Sequence, residues 1–285
     1  MFRCSVQQDL DSMAQRFYDN ERKMPSEKLK KDIFESVVER FRSGSRYNGR
    51  CPATESVIGA VTSQEVIKAI THVYMPVSQF LMFESLDSLH SDDGDGDEEN
   101  GTPVGDRSAC ESVYGSEIAE ELKRMKVFVV GSGAIGCELL KNFAFLNISA
   151  SPPDSDDRDE STEHSCLWNS KELRSGGLVV TDMDHIERSN LNRQLLFRQQ
   201  HVGQAKSTVA AAEVKKLNPR LHVLALTQKL SADAEASTTT GDYPFGASFW
   251  QNVDVVVTAL DNIDARRYVD EMCVVHGRWM LDSGG

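Results

Sequence analysis

The stretch Val127-Phe128-Val129-Val130-Gly131-Ser132-Gly133-Ala134-Ile135-Gly136 decides the fold of this 285-residue chain. Its first four residues are β-branched or aromatic, which predicts a short buried strand over Val127–Val130. Apolar residues then recur at helical spacing, so we predict a helix over Ala134–Leu146. A Gly-x-Gly-x-x-Gly run therefore joins a strand directly to a helix.

A glycine run in this position is typical of a nucleotide-binding site. Glycines let the backbone approach phosphates closely, and the helix N-terminus supplies free N–H groups and a favourable dipole. The residues that we expect to contact the nucleotide here are Gly131, Gly133, Ala134 and Gly136. The run alone does not distinguish NAD, FAD and ATP. Glycines that serve only a tight strand-to-helix turn are the alternative.

Strands and helices alternate through the rest of the chain. The predicted strands are Leu178–Asp182, Val223–Leu226, Val253–Ala259 and Trp279–Asp282, and the predicted helices are Ser116–Arg124, Lys206–Leu217 and Asp264–Val275. Strands separated by helices predict an α/β fold with a Rossmann-like, doubly wound and mainly parallel sheet. The residues between 226 and 253 show no clear periodicity, and we expect a loop there.

The residues before this domain show a different pattern, without alternating strands and helices. Apolar residues at helical spacing predict a mainly helical segment at 1–86, with a helix over 54–72 and a short strand over Phe80–Phe83. Two acidic stretches, at 87–115 and 149–176, have little to bury. We expect the first to be a linker and the second to loop out of the α/β domain, which then occupies 116–285.

Charge and composition exclude several classes of protein. The formal net charge of −13 argues against a nucleic-acid partner, because phosphate binding needs clustered Lys and Arg. No apolar run approaches the roughly 18 residues of a membrane helix, and no secretory signal is evident, so we expect no membrane association. Six scattered cysteines without a C-x-x-C pair indicate free thiols. We therefore expect a cytoplasmic protein, a nuclear protein or both.

Acidic residues are expected at the end of the second strand, where they hold ribose hydroxyls in this type of fold. Asp182 and Asp184 both lie there, and Asp182 is the better candidate because it closes the strand. The usual gap from the glycines is about 20 residues, and the acidic insertion explains the longer gap here. The alternative is that either Asp caps the loop that follows.

Further charged residues favour nucleotidyl transfer over hydride transfer. Charge develops on the α-phosphate and on leaving pyrophosphate, and Arg193 and Lys206 can stabilise it. Asp261 follows a predicted strand, at the sheet edge where ligands bind, and a carboxylate there suits magnesium. The alternative for each of these residues is an ordinary solvated surface charge.

Four motifs in succession resemble those of ubiquitin-activating enzymes. They are Val129–Ala144, Val180–Arg198, Thr258–Arg266 and Leu281–Gly285, and the resemblance covers roughly 116–285. Upstream, Ile58–Ile70 resembles the helix that closes the inactive adenylation half of the same family, and Phe80–Leu86 is similar to the strand after it. This order favours a single-chain ubiquitin activator over the two-chain activators of other modifiers.

The resemblance implies a set of site residues. Asp182 would hold the ATP ribose, Asp261 would hold Mg²⁺, and Asn262 would lie near the nucleotide. The residues implied to contact phosphates are Asn190, Arg193, Gln194 and Lys206. Arg193 and Asp261 are the two implied to be catalytic.

The implied reaction is attack of the C-terminal carboxylate of ubiquitin on the α-phosphate of ATP, which forms an acyl-adenylate and releases pyrophosphate. The family then transfers the acyl group to its own cysteine, and its further domains recruit a conjugating enzyme. None of the six cysteines here has the family's Cys-Thr setting, so we expect the catalytic cysteine to lie outside this chain. Cys137 and Cys273 lie on predicted helices and are expected to be packing residues.

Some features depart from the family. The Arg-Tyr-Asp stretch before its adenylation domain has no clear match at 106–113, and the segment between the glycines and Asp182 is enlarged. Three alternatives to a ubiquitin activator remain at this point. They are an activator of another ubiquitin-like modifier, an NAD-dependent oxidoreductase, and a fragment that only binds a nucleotide or a partner.

Overall fold

A computed structural model describes residues 52–77, 81, 83, 109–150, 167–170, 173, 176–237 and 243–283. Within them, the helices are Pro52–Thr71 (α1), Ala109–Arg124 (α2), Ala134–Phe145 (α3), Lys206–Leu217 (α4), Ala232–Ser237 (α5), Ala247–Asn252 (α6) and Ile263–His276 (α7). The strands are Lys126–Val130 (β1), Gly177–Thr181 (β2), Val223–Leu226 (β3), Val255–Thr258 (β4) and Trp279–Asp282 (β5).

The described strands form one sheet in the order β3-β2-β1-β4-β5, and every neighbouring pair is parallel. β1 is central, with Val129 opposite Val180 on one side and Val257 on the other. Such a strand is covered on both faces, which is why β1 and β2 are almost wholly apolar. The predicted Rossmann-like, doubly wound parallel fold is confirmed.

The sheet has a different core on each face. One face packs aliphatic side chains against α3 and α4, including Leu140 and Val214. The other face packs an aromatic cluster against α6 and α7, in which Phe128 lies within 5.1 Å of the rings of Phe245 and Phe249, measured between centroids. Helices therefore cover both faces of the sheet.

Part of the acidic insertion packs into the aromatic face. Trp168 is buried, stacks on Phe249 and donates a hydrogen bond from Nε1 to the Phe249 carbonyl oxygen at 3.0 Å. Leu173 is also buried and covers Gly177 at the start of β2. Trp168 and Leu173 therefore pack against the α/β domain, although the insertion at 149–176 was expected to loop out of it. Residues 151–166 lie outside the described part of the chain.

Most predicted elements are confirmed, with three differences. The region between 226 and 253 contains the short helices α5 and α6 rather than only a loop. Leu81 and Phe83 are not in a strand, and Phe80 and Met82 lie outside the described residues. α2 begins at Ala109, inside the predicted linker, and Gly115 (φ 82°) interrupts it where the predicted helix begins.

α1 confirms the predicted helix and lies against α3 through a hydrogen bond from Ser56 Oγ to Asn142 Oδ1 at 2.8 Å. None of its residues is fully buried. The helices predicted within 1–50 lie outside the described residues, and the predicted domain boundaries remain predictions. Among the described helices, none is both long enough and apolar enough to span a bilayer.

Candidate nucleotide site

The glycine loop between β1 and α3 is shaped by contacts that exclude side chains. Gly131 has φ +97°, and an ideal Cβ there would lie 2.6 Å from the carbonyl oxygen of Ala259, just after β4. An ideal Cβ on Gly136 would lie 2.2 Å from the carbonyl oxygen of Gly131. Both glycines are therefore required for the loop to turn this tightly.

The N-terminus of α3 opens onto this loop. Gly133 is its N-cap and provides no side-chain cap, and the first turn contains no acidic residue. The first hydrogen bond of the helix runs from the Cys137 N–H to the Gly133 carbonyl oxygen. The N–H groups at the beginning of the helix are thus available to an anion, and the helix dipole favours one there.

The loop lies where the connections of the sheet diverge. β1 continues into α3 on the aliphatic face, whereas β4 continues into α7 on the aromatic face. The crevice between β1 and β4 at their carboxyl ends is the place where doubly wound sheets bind ligands. The structure thus brings the predicted glycines and Asp261 to one edge.

Asp182 connects the end of β2 to the glycine loop. Its Oδ2 accepts hydrogen bonds from the backbone N–H of Ser132 at 2.7 Å and from Ser132 Oγ at 2.9 Å. Its Oδ1 accepts the N–H of Asp184 at 2.9 Å. Asp182 therefore sits beside the glycines, as its predicted ribose role requires. Ser132, at a variable position of the glycine run, was not among the residues predicted to form the site.

Lys206 and Asp184 form an ion pair next to this connection. The Lys206 Nζ lies 2.7 Å from Asp184 Oδ2, with the lysine side chain 11% exposed and the aspartate side chain 57% exposed. Lys206 is the first residue of α4, and its N–H also donates to the Asp184 carbonyl oxygen at 2.9 Å. Lys206, a predicted phosphate ligand, is thus paired with Asp184, the second candidate for the ribose.

The turn at 188–194 contains two buried amide side chains. Gln194 lies near the glycine loop, whereas Asn190 stabilises the turn itself. Gln194 is buried, and its Nε2 would lie 4.0 Å from an ideal Cβ on Gly133. Its buried Oε1 has no hydrogen-bond partner among the described residues, so this oxygen can accept a hydrogen bond from a ligand or a water molecule. Asn190 is also buried, and its Oδ1 accepts the Glu187 N–H at 2.9 Å.

The Arg193 guanidinium is exposed and donates to the Ser189 carbonyl oxygen at 2.9 Å.

The segment after β4 holds Asp261 between two anchored neighbours. The Leu260 carbonyl oxygen accepts a hydrogen bond from Arg266 Nε at 3.0 Å. Asn262 is the N-cap of α7, and its Oδ1 accepts the N–H groups of Asp264 at 2.9 Å and Ala265 at 3.4 Å. Asp261 is exposed and makes no hydrogen bond or ion pair with other described residues. Its carboxylate is therefore free for a ligand while its backbone is fixed.

Two further polar residues support this segment and were not predicted from sequence. Arg266 Nε lies 3.6 Å from Asp282 Oδ1, and the same oxygen accepts a hydrogen bond from the Thr258 hydroxyl. Asp282 ends β5 and Thr258 ends β4, so the three side chains connect two strand ends to α7. No local signal in the sequence distinguishes these contacts from ordinary surface polarity.

A model of the ThiF family matches residues 106–285, which include the glycine loop and all five described strands. The chain belongs to the ThiF family. The match covers every candidate site residue that was predicted from sequence.

Several long relatives of this ThiF-family chain are activating enzymes. It is 39% identical over 256 residues to the ubiquitin-activating enzyme E1 2 of Triticum aestivum, which is 89% of this chain and 21% of the relative. It is 38% identical over 237 residues to the ubiquitin-like modifier-activating enzyme 6 of Mus musculus, 83% of this chain and 20% of that one. The chain thus spans about a fifth of the length of these relatives. The resemblance to ubiquitin-activating enzymes is confirmed.

Solved structures also align with this ThiF-family chain. A crystal structure of the Escherichia coli tRNA N6-threonylcarbamoyladenosine dehydratase, TcdA, aligns with a TM-score of 0.44 and 20% sequence identity. The alignment covers 62% of this chain and 58% of that one.

The donor set of the ThiF-family site fits magnesium bound together with a nucleotide. Among the described residues, no group of three or more His, Cys, Asp or Glu side chains is placed to hold a metal ion. Mg²⁺ commonly uses one or two carboxylates and completes its shell with water and substrate phosphates. The free carboxylate of Asp261 at the sheet edge meets that requirement.

Two cysteines in the cores of the α/β domain are unsuited to nucleophilic chemistry. Cys137 and Cys273 are both free and buried. Burial raises the pKa of each thiol to about 11, so the reactive thiolate is scarce at neutral pH. The prediction that both are packing residues agrees with their places in the aliphatic and aromatic cores.

Proposed function

We propose that this chain provides the ATP site of an enzyme that adenylates the C-terminal carboxylate of ubiquitin or a ubiquitin-like protein. The single observation that carries the proposal is the arrangement at the β1–β4 crevice. There a tight glycine loop and a helix N-terminus without a side-chain cap lie at the same sheet edge as Asp261, whose carboxylate is free and whose backbone is anchored. The names of the long relatives supply the substrate class.

In this proposal the glycine loop receives the phosphates and Asp182 faces the ribose. The N–H groups at the start of α3 and the cationic side chains of Lys206 and Arg193 stabilise the charge that develops on the triphosphate. Arg193 would have to release its contacts with its own turn, whereas Lys206 is already enclosed beside the loop. The buried amide of Gln194 donates to the nucleotide from the other side of Gly133.

Asp261 would hold Mg²⁺, which when bound would neutralise charge on the phosphates and pyrophosphate. Among the described residues we assign no covalent catalyst to the first step. The reaction would therefore rest on positioning the carboxylate in line with the α-phosphate and on charge stabilisation. Thioester formation would use a cysteine outside this chain, and a conjugating enzyme would bind elsewhere in the whole protein.

The identity of the modifier is a finer proposal. We favour ubiquitin because the order of motifs, with Ile58–Ile70 upstream of the glycine loop, resembles single-chain ubiquitin activators. Both ubiquitin-activating and ubiquitin-like modifier-activating enzymes are among the relatives at 38–40% identity. A ubiquitin-like modifier is therefore the alternative substrate.

A pyrophosphate–ATP exchange assay tests the proposal. The complete protein that contains this chain is incubated with MgATP, labelled pyrophosphate and either ubiquitin or a rival modifier, and we expect exchange that depends on ubiquitin. Asp261→Ala should reduce the exchange rate by about a hundredfold or more, since it removes a charge contact to the transferring group. Asp270→Ala, at an exposed position within α7, is the matched control and should exchange normally.

Each outcome has a distinct meaning. Undiminished exchange by the Asp261→Ala variant would contradict the metal assignment but not adenylation. Tight NADH binding without pyrophosphate exchange would contradict the proposed function as a whole. Exchange that responds only to another modifier would leave adenylation standing and exclude ubiquitin.

A further inference from the structure

We infer that Asp184 is a positioning residue that holds the Lys206 ammonium ready for the phosphates of ATP. This inference rests on the proposed function and assigns a role to a residue that the comparisons leave without one. It starts from the ion pair between Lys206 Nζ and Asp184 Oδ2 at 2.7 Å.

The pair is asymmetric in its exposure. The lysine side chain is 11% exposed, whereas the aspartate side chain is 57% exposed. An enclosed ammonium needs a counter-charge, because burying an unpaired charge is costly. Lys206 is also the first residue of α4, where the positive end of the helix dipole disfavours a cation. Asp184 offsets both penalties and keeps the ammonium beside the glycine loop instead of extended into water.

The backbone fixes Asp184 opposite Lys206. The segment around Asp184 pairs in antiparallel fashion with the residues just before α4, through the bridge between His185 and Ala205. Ile186 donates its N–H to the Gln204 carbonyl oxygen at 2.8 Å, and Lys206 donates its own to the Asp184 carbonyl oxygen at 2.9 Å. The backbone at both residues is thus fixed, and formation of the ion pair requires only the two side chains to be ordered.

A continuous set of contacts joins this pair to the nucleotide loop. Ser132 donates to Asp182 Oδ2, Asp182 Oδ1 accepts the Asp184 N–H, and Asp184 Oδ2 binds Lys206. An ammonium has three donors, and Asp184 is its one described side-chain partner, so donors remain for phosphate oxygens. The Lys206 ammonium is therefore held in place and still has N–H donors available for phosphate oxygens.

Calorimetric titration of MgATP and of adenosine into the 285-residue chain tests this role. Asp184→Asn preserves shape and removes the charge, and we expect the Kd for MgATP to rise about tenfold as the ion pair is lost. The Kd for adenosine should stay unchanged, because adenosine has no phosphate for Lys206 to contact. Asp184→Glu should recover most of the affinity, and Asp270→Asn on α7 is the matched control.

A double variant separates positioning from a general effect of charge. If Asp184 acts through Lys206, then adding Asp184→Asn to Lys206→Ala should weaken MgATP binding little further. Full additivity of the two changes would overturn the inference. So would an equal loss of MgATP and adenosine affinity, because that pattern belongs to a structural defect.

The direction in which Asp184→Asn changes the Kd for MgATP also tests the positioning role. If Asp184 instead competed with phosphate for Lys206, Asp184→Asn would bind MgATP as tightly as the unsubstituted chain or more tightly, and the positioning role would be wrong. These results leave the proposed function intact. An unsubstituted chain that fails to bind MgATP would contradict the proposed function, and the positioning role would fall with it.

Discussion

Gly131 and Gly136 restrict each other across the nucleotide loop. The carbonyl oxygen of Gly131 occupies the place that a methyl group on Gly136 would take, at 2.2 Å from the ideal Cβ. The obstacle is backbone and not the end of a flexible side chain, so it can move only if the loop opens. The shape that suits phosphates is therefore also a packing requirement of β1 and α3.

This contact predicts the effect of Gly136→Ala. We expect the free energy of unfolding to fall by about 2–3 kcal/mol, the cost of forcing an extra methyl into a packed site. Urea unfolding followed by circular dichroism measures the change. Gly59→Ala in the exposed helix α1, where nothing lies within 4 Å of the added methyl, is the matched control. It should raise stability by about 0.5–1 kcal/mol, and an unchanged Gly136→Ala variant would contradict the loop geometry.

The sequence predicts individual site residues only where a motif constrains them. The glycines and Asp182 follow from the strand–loop–helix pattern, and the structure places them together. The Ser132–Asp182 and Asp184–Lys206 contacts could not be predicted, since they depend on the way β2 and α4 are brought together in three dimensions. Buried Gln194 with its unpartnered oxygen likewise has no signature in sequence.

At the scale of elements, α7 begins with a side chain that has one predicted role and one observed role. Asn262 was expected near the nucleotide, and the structure shows that its Oδ1 caps the first turn of α7. The N–H groups of Asp264 and Ala265 would otherwise lack partners within the helix. The cap also fixes the backbone next to Asp261, so the stability of α7 and the position of the proposed metal ligand depend on the same side chain.

Asn262→Ala should lower the free energy of unfolding by about 1 kcal/mol, the typical value of an N-cap. Thermal unfolding of the chain without nucleotide measures this loss. Asn262→Asp is the matched control, since it retains an acceptor oxygen and should keep most of the stability. A fully stable Asn262→Ala variant would contradict the capping role and would favour a role confined to the nucleotide.

Elements with strong periodicity were predictable, and short ones were not. The helix Lys206–Leu217 and the strands Val223–Leu226 and Trp279–Asp282 have their predicted bounds. α5 and α6 have six residues each, too few for an apolar stripe to repeat. The packing of Trp168 on Phe249 was also missed, because a single buried aromatic within a polar insertion leaves no periodic signal.

At the scale of the whole molecule, alternation of strands and helices was enough to predict a parallel, doubly wound sheet. The order β3-β2-β1-β4-β5 and the division into an aliphatic and an aromatic face come only from the structure. The strand order and the two cores depend on which face of the sheet each helix covers. Local sequence patterns do not determine that face.

The central place of β1 predicts cooperative unfolding. β1 pairs with β2 and with β4, so loss of β1 removes hydrogen bonds from both sides of the sheet and separates β2–β3 from β4–β5. We expect far-ultraviolet circular dichroism and the fluorescence of buried Trp168 and Trp250 to change at the same urea concentration. Two separate midpoints would show that the two sides of the sheet unfold independently.

The same topology has a consequence during synthesis on the ribosome. The hydrogen bond from the Lys126 N–H to the Asp254 side chain spans 128 residues, a stretch that translation takes roughly 6–25 seconds to make. For that time the valine-rich edge of β1 that later meets β4 has no partner from its own chain. Unpaired apolar edges of this kind readily join other chains. A net charge of −13 opposes such encounters between nascent copies, which gives the abundant acidic residues a part in reaching the folded state.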